Sequence, residues 1–396
     1  MKFNKSGQLL LVAAASLAIA GVMTACSTLT VDFVYVTSAK AAGTNNYGEV
    51  DVFEVNSESG HMRQIPTSPF PSGGRNPVAE AVSTDHTTLY VVNQDDNTIV
   101  QFTIGNDGKL YPQNTVNTPG VFPLAVSVAA STLYVADTYQ PLATCSPAAP
   151  CSGSIASFPI TAGQLGAPAV NASISAAYWP LILPSSPTDV VVPTAINALA
   201  SGNDVYVAAY DSTTKVGYVF GFASSSGALT PLNGGVPVPA GVHPSALTSD
   251  PSGTYLYVTD SASGNILGYS IGSGTPTLLS GSPFPAGNSP ASIAIDATGK
   301  FAVVANSQDS TVTTYTLNSG NLTQAGTFAT GLQPVAIGID PSLNQYIYTA
   351  NFLGNTVSGF QLNATSGSLL NTQNSPFTAN ANPTAVAAIP HNGSKK

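Results

Sequence analysis

Short apolar runs recur along the whole chain, alternating with polar positions and separated by clusters of Gly, Pro, Ser, Thr and Asn. Alternation of this kind, bounded by turn residues, predicts half-buried β-strands, and no stretch shows the 3.6-residue period of a packed helix. One strand type stands out: VYVTS at 34–38, LYVVN at 89–93, LYVAD at 133–137, VYVAA at 205–209, LYVTD at 256–260, AVVAN at 302–306 and IYTAN at 347–351. Before each copy, or for the first copy at the far end of the chain, stands a strand opened by proline: Pro77, Pro123, Pro193, Pro244, Pro290, Pro334 and Pro383. Proline and the central position of the next strand are 13 residues apart in Pro77–Tyr90, Pro193–Tyr206, Pro244–Tyr257 and Pro290–Val303, which makes the register a true repeat.

A third strand follows each copy, for example EVDVFEV (49–55), TIVQFTI (98–104) and TVTTYTL (311–317). A weaker fourth leads into proline-rich connectors such as SPFPSGGRNP (68–77) and SPFPAGNSP (282–290). Four strands per unit and seven units predict an all-β, seven-bladed β-propeller with four-stranded blades. The chain begins with a second strand at Val34 and ends with a first strand at Pro383–Ile389, so the C-terminal strand is expected to complete blade one and close the ring.

The strands LYVTD, LYVVN and IYTAN resemble those of the YVTN-type, lactonase-like seven-bladed propellers, a group that includes 6-phosphogluconolactonase-like proteins. The resemblance spans roughly residues 32–390 and implies the propeller fold and a lactonase-type activity. A fold hosts many functions, so the activity must be argued from a site.

Composition narrows the choice. Charged residues make up 7% of the 396, where an average soluble protein has roughly 25%. Formal net charge is −9 and Arg occurs only at 63 and 75, which excludes nucleic acid as a partner. Lys2 and Lys5 precede an apolar run from Leu9 to Val22, too short for a comfortable permanent span. Met23-Thr24-Ala25-Cys26 then resembles a bacterial lipobox. The expected organisation is a lipoprotein signal peptide at 1–25, a lipidated tether at 26–31 anchored to the membrane through Cys26, the propeller at 32–390 and a disordered tail at 391–396. Cys145 and Cys151 are expected to form a small disulfide ring in an oxidising compartment. The localisation that follows is the bacterial cell envelope, periplasm or cell surface.

Candidate chemistry comes from departures from the repeat. The connector into each first strand and the turn after each second strand should share one face. The long loops around Lys40–Tyr47, Cys145–Cys151 and Ala176–Val192 fall there. Tyr178 and Trp179, the latter the only Trp, are a candidate stacking platform. Three positions after the opening proline, six blades carry an apolar residue and blade two carries Glu80, a candidate general base in the channel wall. Arg75 and His243, both in connectors, are its candidate electrostatic partners. The series Asn93, Asp137, Asp260, Asn306 and Asn351 is expected to serve turn chemistry. No cofactor is called for and no metal-ligand spacing exists, although the amide- and acid-rich channel end leaves calcium open. Two functions follow. The first is an envelope module binding a glycan, peptide or protein. The alternative is a lactonase opening a neutral lactone, since a phosphosugar enzyme should have a denser cation clamp.

Overall fold

The computed structural model describes residues 30–42 and 45–391. Seven antiparallel sheets follow one another in sequence. Blade two shows the plan, with Pro77–Val82 innermost, then Thr88–Asn93, Thr98–Ile104 and Leu110–Asn117 at the rim. Blade one is composite: its inner strand is Pro383–Pro390, paired antiparallel to Thr30–Ala42 with Val36 opposite Val386. Each inner strand packs on the next around the ring, and Pro383–Pro390 meets both Pro334–Ile339 and Pro77–Val82. The ring therefore closes as the repeat predicts.

The inner strands lie at the end of their sheets, so one edge of each is unpaired, and most of their residues are only half-buried. The second strands are the dry layer, with Leu89, Tyr90, Val91 and Val92 fully buried. The recurrent tyrosine has a cross-blade task. The hydroxyls of Tyr35, Tyr206 and Tyr257 donate to the carbonyls of Gly108, Gly274 and Gly320 at 3.0, 2.6 and 3.0 Å. Each glycine lies in the turn between the third and fourth strands of the next blade. Their φ angles of 77°, 83° and 85° need glycine, and a Cβ on Gly108 would meet the Phe33 ring at 2.5 Å. The YV strand thus rivets neighbouring blades as well as filling them.

Three details differ from the sequence expectation. The fourth strand is continuous only in blades two and six, and elsewhere splits into two short pieces such as Met62–Gln64 and Phe70–Pro71. Prolines and glycines in the connectors interrupt the ladder there. The first strand starts at Thr30, inside the expected tether, because Val31 is buried against blade seven. His391, placed in the expected tail, donates its backbone N–H to Val31 at 2.8 Å and lays its ring 5.4 Å from Phe33. The signal segment, Cys26 and residues 392–396 lie outside the described residues.

Candidate functional site at the channel mouth

The connectors and the ends of the second strands do share one face, and the Asn/Asp series shows why. Asp260 accepts the backbone N–H groups of Val242 and His243, both at 2.9 Å. Asn306 accepts that of Gly287 at 3.0 Å and Asp137 that of Gly120 at 3.2 Å. In blades three, five and six these side chains pull the connector onto its own blade, just before the opening proline. That position holds Asn76, Phe122, Val192, His243, Ser289, Gln333 and Asn382. Only His243 in this ring was singled out from the sequence, and reading the pre-proline column would have given the rest.

His243 is held in place by Ser261. Ser261 Oγ donates to the His243 carbonyl at 3.1 Å and lies 3.0 Å from Nδ1. The Ser261 backbone N–H bonds the same carbonyl at 3.0 Å, so the Ser261 side chain and backbone together anchor the imidazole through Nδ1. Tyr210 stacks on the ring at 4.5 Å. The imidazole opens onto a depression of about 430 Å³ lined by Leu124, Thr194, Ser245, Ser289 and Val335 among others, none of them charged.

Glu80 is placed differently. It lies in the inner strand of blade two, where its Oε2 accepts a hydrogen bond from the Thr37 hydroxyl of blade one, while Oε1 is sequestered without a partner. Burial pushes its carboxyl up to about 8, opposed by the Thr37 hydroxyl and the nearby Ala387 amide. Burial therefore favours the protonated carboxyl, which weakens Glu80 as a ready general base. Arg75 does not reach it. Its Nε and backbone N–H both bond the Asp96 carboxylate at 2.7 Å, on the solvent side. His243 is three blades away around the ring. The grouping of Glu80, Arg75 and His243 expected from sequence does not assemble, because each side chain is committed within its own blade or to its neighbour.

Trp179 cannot act as an open platform. It pairs with Ile155 as part of the outer strand of blade three and packs among Leu181, Leu183 and Phe220 at 3% exposure. Tyr178 is half-buried, and its carbonyl accepts the Asn171 amide at 3.2 Å. Cys145 and Cys151 form the expected disulfide. Among the described residues, no group of three His, Cys, Asp or Glu is placed to hold a metal.

The buried carboxyls make stability depend on pH in an unusual direction. Besides Glu80, Asp32 on blade one is pushed well up by burial and then by the adjacent Asp340 of blade seven. Burial also raises Asp137 to about 7 and Asp51 to about 6. Each binds a proton in the fold that the unfolded chain releases near pH 4. Their stability is full at low pH and is lost as pH rises through the folded values. His86, lowered by burial, acts in the opposite sense near its ordinary range. The expected result is a melting temperature about 5 °C or more lower near pH 8.5 than near pH 5. Glu80→Gln should raise it at the alkaline end and leave it unchanged at the acid end. A flat or rising profile in calorimetry refutes the assignment.

The family model described as "Lactonase, 7-bladed beta-propeller" matches residues 33–174, 204–329 and 275–388. No protein of curated function matches the chain. Among solved structures, a "putative 6-phosphogluconolactonase" from Bacteroides fragilis is similar at 18% identity, TM-score 0.71, over 92% of this chain and 99% of that one. The periplasmic gluconolactonase of Pseudomonas aeruginosa is similar at 18% identity, TM-score 0.70, over 91% and 99%. AztD from Citrobacter koseri shares 13% identity, TM-score 0.56, over 93% and 100%. At such identities these structures speak for the fold, and the family match carries the assignment: the chain belongs to the lactonase family of seven-bladed β-propellers.

Proposed function

We propose that this propeller hydrolyses uncharged lactones at its channel mouth, with His243 as general base. The observation that carries the reading is an imidazole anchored at Nδ1 by Ser261 beside an uncharged depression. Nε2 takes a proton from water as the hydroxide adds to the lactone carbonyl carbon. The tetrahedral oxyanion collapses, the ring C–O bond breaks, and the leaving alkoxide recovers the proton from the imidazolium to give a hydroxy acid. Oxyanion stabilisation falls to N–H donors on the unpaired inner-strand edges and to mouth water, since no cation lines the depression. The product is an anion, and a chain of net charge −9 favours its release.

The family match and the gluconolactonase neighbour support the hydrolase over a glycan-binding module, whose candidate platform residue Trp179 is buried. The disulfide fits a chain that works in an oxidising compartment. The test is a comparison of glucono-1,5-lactone with its 6-phosphate. With no cation among the residues lining the depression, kcat/KM on the uncharged lactone should be at least about tenfold higher. Preferential turnover of the phosphorylated lactone, or turnover of neither, overturns the reading.

A further inference from the structure

We infer that Phe122 and Tyr139 form an aryl-binding subsite on the rim of the channel mouth, next to the depression that holds His243. The inference rests on the mouth being the ligand site. Its starting point is a backbone oddity. Five of the seven pre-proline residues adopt a left-handed conformation: Asn76, Phe122, Ser289, Gln333 and Asn382, with φ between 52° and 59°. The repeat imposes that conformation. Asn accepts it readily, whereas a bulky aromatic is strained there. Blade three nevertheless carries Phe, which Asn97 and Thr138 clamp in place. Asn97 Oδ1 accepts the Phe122 N–H, and the Thr138 hydroxyl donates to the Phe122 carbonyl, both at 2.7 Å. Strain that the surroundings hold in place at a binding rim points to the side chain as the reason.

The side chain is placed to be used. Phe122 and Tyr139 meet edge to face, with centroids 6.2 Å apart and planes at 81°, and both are half-buried. In that arrangement one ring keeps both faces uncovered by its partner. Leu124, two residues on, lines the depression, and Tyr210 stacked on His243 continues the aromatic arc across blades four and five. The adjoining loop at 140–153 contains no charged residue, exposes Leu142 and is closed by the Cys145–Cys151 bridge. An uncharged, ring-rich rim of this kind recognises an aryl group attached or fused to the ligand.

The test separates packing from recognition. Saturation-transfer NMR with chroman, an unreactive aryl-fused ring, reads the subsite without turnover. The ratio of kcat/KM on dihydrocoumarin to that on δ-valerolactone reads it in catalysis. Phe122→Asn fits the left-handed position, so its melting temperature should hold or rise. Its chroman signal should vanish and its ratio fall about tenfold. Tyr139→Ala should lower the ratio in the same way. Chroman binding and a ratio unchanged in both variants would overturn the subsite, as would a wild type that does not bind chroman. If the wild type turns over neither lactone, the hydrolase reading fails, and chroman binding with its loss in Phe122→Asn still decides the subsite.

Discussion

Replacing His243 by asparagine lowers kcat/KM for an uncharged lactone by roughly 10²–10⁴-fold, the range for removing a positioned general base. Asparagine keeps a polar side chain near Ser261 but has no lone pair that accepts a proton at neutral pH. The backbone should not move, because the connector is held by Asp260 through the N–H groups of Val242 and His243, which any residue supplies. Ser261→Ala is the informative companion. Ser261 anchors the base at Nδ1 and also lines the depression, so its loss loosens the imidazole without removing it and should cost far less, with a displaced pH–rate profile. The measurement is a stopped assay across pH with circular dichroism as a fold control. A His243→Asn chain that is folded and fully active refutes the mechanism.

Removing the residues from Pro383 onward abolishes cooperative folding. The deletion takes away the inner strand of blade one, which pairs from Ser38 to Asp32 along the second strand of that blade. Those second-strand residues are buried, so a row of backbone groups in the dry layer would lose its partners. Val386 and Ile389 leave the core, at about 1.5–3 kcal/mol each. Thr384 also bridges blades, its hydroxyl lying 2.9 Å from the Pro77 carbonyl and 3.1 Å from the Thr37 carbonyl, the two acceptors sharing its one proton. A synthetic peptide spanning 383–391 added in trans should restore a sharp melting transition. A truncated chain that melts as sharply as the wild type would show that the ring does not depend on this strand.

Much of the molecule was legible in the sequence because a repeat states its pattern seven times. Each apolar alternation, each opening proline and each YV strand is a local instruction, and seven agreeing copies fix blade number, strand order and closure. The shared face of connectors and second-strand ends followed from topology alone. The site was far less legible. Glu80 stood out as a charged residue in an apolar column, yet sequence could not show that burial would push its carboxyl up against the opposing Thr37 hydroxyl. Trp179 was a candidate platform because it is unique and lies in a long loop, and pairing with Ile155 turned it inward. Arg75 found Asp96, a partner 21 positions away in the same blade.

By itself the sequence determined the seven blades, their strands, the clasp at Pro383–Ile389 and the cysteine pair, since these depend on periodic burial and on distances along the chain. The tertiary structure alone decided which side chains meet. Ser261 reaches His243 and Thr37 reaches Glu80 because sheets are stacked radially and strand ends converge on a common mouth. Proton position and pKa depend on those few ångströms, and no pattern along the chain encodes them.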